Sequence, residues 1–499
     1  LNTAQKVLSN TAIQSFGRLM TAAISIVILK LISTYLGKSG YGAYTTVYEF
    51  LAFFAIIADF GIFQIAVKEM SAYPDRRREI FGNIFTLRIC LSTFAMLLSI
   101  AAAFLIPKYS GTPIPLGIAI ASGTTFLTII FGTLSSVLQV DLRMQWNVLA
   151  LIAAKFVALG WMVVTIFRWL PEDPERGFFQ LLVAGIVGGL LQVLITFLAA
   201  RKSTEISLRF DFKFWREILA KTLPYGAAVL LATIYVRIDV ILLSLLRSQE
   251  EVGIYGVAAR ILENLAVISI FFLNSALPAI TRLFQDNREK LKQLLQHAFD
   301  FLILIGLPIA VGGITLAYPI IALVSSPEFL SNLAENFYGS DIALQILLVA
   351  MLFAYLGNLF GFTLLAGNQQ VKLMYVNAAA VIFNVVSNLV VIPIWGFRGA
   401  AATSVASQIF VCILGFFFLR RMIDVSFTLK TAGKACLAAA AMGASVFWLQ
   451  PHFFNLFGGN KSLLLLIPVG IIIYGTALIL TRAITPEMWE LVRRRNEKT

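Results

Sequence analysis

The residues of this chain best equipped for chemistry are charges set in apolar surroundings. Tyr235–Leu246 reads YVRIDVILLSLL, with an arginine and an aspartate two residues apart in a segment otherwise suited to hydrocarbon. An ionised side chain at mid-membrane costs about 2.5–3.5 kcal/mol on insertion scales, so each one calls for a functional or pairing role. Arg18, Lys30, Glu49, Asp59, Arg88, Lys155, Arg260, Glu263 and Asp300 lie in similar company. Lys30, Arg88, Lys155 and Asp300 stand near the ends of apolar runs, where snorkelling to the headgroup level accounts for them.

Helical periodicity sorts the rest. At about 100° per residue, Asn10, Gln14, Arg18, Thr21 and Ser25 share an arc of about 80°, and Arg260, Glu263, Asn264 and Asn274 share one of about 100°. Polar stripes can bind helix to helix, but that role does not require the arginine found in each. A water-filled cavity that attracts an anion does. The expected substrate-binding residues are therefore Gln14, Arg18, Arg260, Glu263, Asn264 and Asn274. Arg237 and Asp239 lie about 200° apart on their helix and must face different neighbours. Asp239, Asp59 and Glu49 are the expected ion-coupling carboxylates.

No GxxxxGK[ST], HExxH or GxSxG occurs, so phosphate-loop, zincin and serine-hydrolase chemistry have no motif. Cys90, Cys412 and Cys436 form no CxxC, and His297 and His452 are far apart. The expectation is a protein that is not an enzyme, with no catalytic residues, no cofactor and no metal.

These charges need elements to hold them in place. Of 499 residues, 59% are hydrophobic and 13% charged, about half the charged share of an ordinary soluble domain. Apolar runs long enough to cross about 30 Å of hydrocarbon recur throughout. The fold class expected is all-α, a polytopic membrane protein of about fourteen spans between residues 10 and 482. The first stretch, 11–36, is too long for a signal peptide and reads as a span. Most of the 39 Lys and Arg fall on one side when both termini are placed in the cytoplasm, as retention of basic residues requires. The net charge of +13 is then a matter of topology, and its spread over many short loops argues against nucleic acid. The longest connector, 201–223, carries FDFKFWREIL, whose aromatics and cations suit a helix at the headgroup level. It divides an N-lobe at 1–200 from a C-lobe at 224–420, with a terminal helix pair and tail at 421–499.

The lobes resemble each other. An offset of 211 matches Gly42 with Gly253, Tyr44 with Tyr255, Asp75 with Asp286 and Arg77 with Arg288, among others. Glu49 then corresponds to Arg260, and the pair is expected to face across a central space. An even number of spans separates the copies, so both insert the same way up. Parallel repeats of this kind commonly enclose a central site.

The stretches DVILLSLLRSQEEVGIYGVAARI, LPAITRLFQDNREKLKQ and VIPIWGFRGAAATS resemble the polysaccharide-exporter branch, O-antigen flippase type, of the multidrug/oligosaccharidyl-lipid/polysaccharide (MOP) superfamily. The resemblance covers nearly the whole chain. It implies a V-shaped pair of helix lobes moving an undecaprenyl-pyrophosphate-linked oligosaccharide across the plasma membrane of a bacterium or archaeon by alternating access. Arg18 and Arg260 look like the cationic cavity positions of such proteins. Glu49 departs from the lipid-II flippases, which tend to be basic there. The implied partners are the lipid-linked oligosaccharide, membrane lipids, a coupling proton or sodium ion, and a glycan polymerase with other polysaccharide-assembly proteins. Two alternatives compete: a multidrug or organic-cation antiporter of the same superfamily, and a membrane-embedded glycan polymerase or ligase. The antiporter would want acids without arginines. The polymerase would want a long extracytoplasmic loop bearing catalytic residues, and 325–340 has two glutamates and no basic residue.

Overall fold

In hydrocarbon every backbone N–H and C=O must be satisfied within the protein, and a long apolar run does this alone only as a helix. The computed structural model describes residues 3–457 and 462–483, with side chains described over 13–453 (15, 224, 225 and 228 excepted) and 462–483. Among the described residues the elements are α1 (Thr3–Asp59), α2 (Ile62–Ala72), α3 (Arg77–Leu105), α4 (Ile114–Val140), α5 (Met144–Val164), α6 (Pro174–Ala200) and α7 (Phe212–Leu246). They continue with α8 (Gln249–Asp286), α9 (Arg288–Thr315), α10 (Ala317–Val324), α11 (Ser340–Ala366), α12 (Gln370–Ile423), α13 (Lys430–Phe457) and α14 (Leu463–Leu480). Among the described residues, twelve helical segments are long and apolar enough to cross a membrane. Two of them cross twice, because α1 and α12 are kinked at Gly37 (φ 66°) and Gly396 (φ 57°), in a backbone region that L side chains avoid. This gives the fourteen crossings expected. Large apolar side chains stay exposed on the outer helix faces, Leu464 and Leu480 at 77% and 79% for instance, and such a belt belongs in lipid rather than water.

The chain divides into two compact units, Leu1–Gly253 and Ile254–Thr499. In the first, α4 packs on α6, α1 and α3, and α5 packs on α6 and α1. One core gathers Val47, Leu51, Tyr109, Ile114 and Ile118; another gathers Ile62, Phe81, Ile84, Leu134 and Ile218. In the second unit, α11 packs on α12 and α9, and α13 on α9 and α14. Tyr hydroxyls tie its helices together: Tyr355 donates to the Leu265 carbonyl at 2.7 Å and Tyr474 to that of Leu304 at 2.9 Å.

Two expectations change here. The division falls at Gly253, beyond the connector 201–223, because α7 packs against α1, α2 and α3 of the first unit. Arg237 of α7 pairs with Glu49 of α1, Lys221 with Glu69 of α2 at 2.8 Å, and Ser244 bonds Tyr109 at 2.7 Å. Backbones also meet directly. A Cβ on Gly42 would stand 1.7 Å from the Gln249 oxygen, and one on Gly253 would stand 2.1 Å from that of Lys38. The two glycines matched by the 211 offset thus lie against one another. The second change concerns FDFKFWREIL, which forms no separate surface helix. Asp211 caps α7 by accepting from the amides of Lys213 and Phe214, and the helix runs on from there into the span.

Candidate substrate and ion-coupling site

On the first half of α1, Gln14, Arg18, Thr21 and Ser25 occupy one face, as the periodicity predicts; the side chain of Asn10 lies outside those described. Arg18 is exposed and Gln14 half-buried. The hydroxyls of Thr21 and Ser25 donate to the carbonyls of Arg18 and Thr21 at 3.0 and 2.8 Å. This satisfies the two hydroxyl donors along their own helix and leaves the oxygens able to accept. Gly17, between the stripe residues, is pressed by Val148 of α5. That packing brings up Lys155, whose ammonium donates to the Ser25 hydroxyl at 3.3 Å. Read from sequence as a snorkelling residue, Lys155 is instead a second cation on the Arg18 stripe. Position near a span end gave no hint of it, because only the α1–α5 contact decides where the ammonium goes.

On α8, Arg260 and Glu263 form an ion pair at 2.8 Å, 41% and 37% exposed, and Asn264 donates to the Arg260 carbonyl at 2.9 Å. Asn274 is exposed further along the helix. An i,i+3 pair of this kind contributes only about 0.2–0.5 kcal/mol.

The three coupling candidates occupy separate places. Glu49 is buried and accepts from Arg237, which is 28% exposed. The acid at this position is thus neutralised by the arginine of the YVRIDV stretch. Asp239, two residues on, is buried at 5%, on the other side of α7 as the spacing required. The buried hydroxyl of Tyr235, one turn away, has no hydrogen-bond partner. Asp59 ends α1 and pairs with Arg88 of α3. Arg88 and Asp300, expected to snorkel, are both buried. Arg88 lies well inside α3, which begins at Arg77, and is held there by Asp59 of α1. Asp300 accepts from Gln296 at 3.1 Å, and the Gln296 side chain also bonds both backbone groups of Thr428. A further polar group lies in α12, where Asn388 donates to Asn384 at 3.0 Å and Asn384 to Ser407 at 3.3 Å, all buried.

Outside the spans, the connections are electrostatically fastened. Burial alone would raise the Asp141 carboxyl, but bonds from Arg77 and Ser203, with the charges of Arg77 and Arg143, hold it below the usual carboxylate value. Burial pushes the Tyr109 phenol up, partly offset by its bond to Ser244.

The fold is that of the flippases and transporters of the MOP superfamily. The lipid II flippase MurJ, in an inward closed conformation, superposes with a TM-score of 0.74 at 14% identity, over 95% of this chain and 99% of that one. An inward-facing multidrug resistance MATE family transporter superposes at 0.63 and 16% identity, over 82% of this chain and 94% of its own. A MOP superfamily transporter from Pyrococcus furiosus superposes at 0.52 and 15% identity, over 83% and 93%. In sequence, residues 7–284 match the family described as polysaccharide biosynthesis protein, and the chain belongs to that family. Residues 224–390 also match the MatE family. An uncharacterised membrane protein of Methanocaldococcus jannaschii is 26% identical over 227 residues, 44% of this chain and 42% of the relative; the chain thus matches less than half of that relative's length.

Proposed function

We propose that this membrane flippase carries an undecaprenyl-pyrophosphate-linked oligosaccharide across the plasma membrane of a bacterium or archaeon, for assembly of a cell-surface polysaccharide. Both termini are cytoplasmic in this reading. The observation that carries it is the convergence of Arg18 and Lys155 on one polar stripe of a membrane-spanning helix, with Arg260 on a second stripe in the other unit. A pyrophosphate brings two or more negative charges. A guanidinium stays charged and meets it with a planar fork of donors, while an ammonium serves as a mobile point charge. Gln14, Asn264 and Asn274 supply neutral donors for the sugar, and Glu263 holds Arg260 until substrate displaces it. Glu49, Asp239 and Asp59 are the carboxylates through which a proton or sodium gradient would act. In alternating access each lobe presents its stripe in turn, and a glycan polymerase receives the product.

The match of residues 224–390 to the MatE family favours a second reading, an organic-cation antiporter using the buried acids. Fluorescent lipid-linked oligosaccharide flipping in proteoliposomes separates the two. Arg18→Ala and Arg260→Ala are each expected to lower the flipping rate at least tenfold with normal membrane levels of protein, and Arg→Lys to be intermediate. Normal flipping in stable alanine variants would overturn the anion-site reading. Cation efflux insensitive to both arginines would favour the antiporter.

A further inference from the structure

FDFKFWREIL forms no separate helix, yet its side chains divide between the protein and its surroundings. The chain leaves α6 and crosses α3 without helical structure before α7 starts at Phe212. That crossing is fastened to the protein. A Cβ on Gly82 of α3 would stand 2.8 Å from the Ser207 oxygen, and the Arg209 amide donates to the Thr86 hydroxyl at 3.1 Å. Leu208, Phe210 and Phe212 are nevertheless exposed, the two phenylalanines at 66% and 75%. Their rings stand 6.0 and 5.2 Å from that of Trp215. Trp215 in turn packs with Phe214 and Leu219 against the core that holds Ile62, Ile84 and Ile218. Exposed aromatics are thus held in position by a half-buried one.

Helical period extends this edge towards the span. At about 100° per residue, Phe212, Arg216 and Leu223 share an arc of about 40°, and all three are exposed. Ile218 and Thr222, on another side of the helix, are buried. Phe212 and Leu223 stand about 16 Å apart along the axis, with the Arg216 guanidinium between them. The acids at this end are already engaged. Glu205 pairs with Arg78, Glu79 with Arg76 and Glu69 with Lys221. Asp211 accepts from the amides of Lys213 and Phe214, and the charge of Glu217 acts on Arg76 and Lys221. Among the described residues, Arg201, Lys202, Lys213 and Arg216 form no ion pair.

We infer that the α6–α7 connector and the first turns of α7 form a binding surface for anionic phospholipid. Leu208, Phe210, Phe212 and Leu223 enter the boundary between headgroups and acyl chains, where exposed rings and cations belong together. Lys213 and Arg216 meet the headgroup phosphate, and Arg201 and Lys202 add to the field. Lipid is the occupant because the exposed edge of α7 runs on through Leu223 into a membrane-spanning segment. The charge selects among lipids. A zwitterionic headgroup brings a cation that needs a free acid, and the acids here are engaged, whereas an anionic headgroup needs only the cations. A basic residue near an anionic surface strengthens binding about fivefold.

Tryptophan quenching by brominated lipids tests this on the full chain. The vesicles hold equal parts phosphatidylglycerol and phosphatidylcholine, with bromine on the acyl chains of one lipid at a time. The difference between wild type and Trp215→Phe isolates the signal of Trp215. Brominated phosphatidylglycerol should quench it as if enriched at least about fivefold over phosphatidylcholine, and high salt should shrink the preference. Lys213→Gln with Arg216→Gln should abolish it. Arg282→Gln with Lys290→Gln, which removes the same charge from the turn between α8 and α9, should leave it intact. Equal quenching by the two lipids in the wild type would overturn the inference. So would a preference that survives the Lys213 and Arg216 substitutions, or one lost equally in the control. Should Trp215→Phe fail to fold, phosphatidylglycerol bound to the purified wild type and the two double variants, counted by native mass spectrometry, reads the same preference. The test needs no substrate, and its failure leaves the flippase reading standing.

Discussion

At the residue scale, the membrane charges fall into pairs of unequal stringency. Arg260–Glu263 is half-exposed and joins neighbouring turns of one helix; Glu49–Arg237 joins two helices and buries its acid. Removing one partner of a fully buried pair costs about 3–5 kcal/mol, and the partial exposure of Arg237 keeps this case below that range. Glu49→Gln should lower thermal stability in detergent by loosening α7 against α1, while Glu263→Gln should leave stability within about 0.5 kcal/mol of wild type. Exchanging the charges, Glu49→Arg with Arg237→Glu, should recover part of the loss. Equal melting temperatures for the Glu49→Gln and wild-type proteins would show that Arg237 finds another partner. Lys155→Ala should reduce flipping less than Arg18→Ala, since a point charge is lost rather than a donor fork.

The elements are organised by where backbones touch and where helix ends are tied. Gly42 and Gly253 allow the end of the α1 kink region and the start of α8 to meet, and no side chain fits there. Gly42→Ala or Gly253→Ala should therefore abolish correctly folded protein in the membrane, measured by fluorescence-detected gel filtration. Gly160→Ala is the contrasting case: nothing lies within 4 Å of its Cβ position in α5, and alanine gains up to about 1 kcal/mol in a helix interior. The α4–α5 turn carries a pH signature. Because the Asp141 value is depressed in the folded protein, its contribution is fully present above the ordinary carboxylate value of about 3.9 and is lost as pH falls through the lower folded value. At pH 7, Asp141→Asn should lower the melting temperature by about 2–4 °C, as a loss of roughly 1 kcal/mol does in a unit of this size. That difference should close towards pH 3. A difference unchanged at pH 3 would mean the carboxylate charge is not what matters.

For the whole molecule, the orientation we propose, with both termini cytoplasmic, makes definite claims about the loops between fourteen crossings. Reporter fusions after Arg76 and Arg209 should read cytoplasmic, and those after Lys108 and Glu335 extracytoplasmic. A cytoplasmic signal at Glu335 would overturn the orientation or the number of crossings before it. The loop that carries Glu335 is well tied down, since Asp341 accepts from both the amide and the hydroxyl of Ser331 at 2.9 and 2.7 Å. It is therefore a stable place for a fusion.

Much of this protein follows from composition and period alone. Hydrocarbon admits few backbone solutions, so the apolar runs already specified an all-α membrane fold and its crossings. The 3.6-residue period likewise placed Gln14, Arg18, Thr21 and Ser25 on one face, and set Arg237 and Asp239 apart. Helix period says what shares a face, but not which neighbour that face meets. Glu49 with Arg237, Asp59 with Arg88, and Lys155 with Ser25 are separated by 188, 29 and 130 residues. These pairings depend on which helices pack against one another, α1 with α7, α3 and α5. For the same reason Arg88 and Asp300 looked peripheral in sequence and are buried in the fold. Hydropathy marks a connector at 201–223 but carries no information about packing, so the assignment of α7 to the first unit was left to the tertiary structure, through an ion pair, a tyrosine–serine bond and two facing glycines.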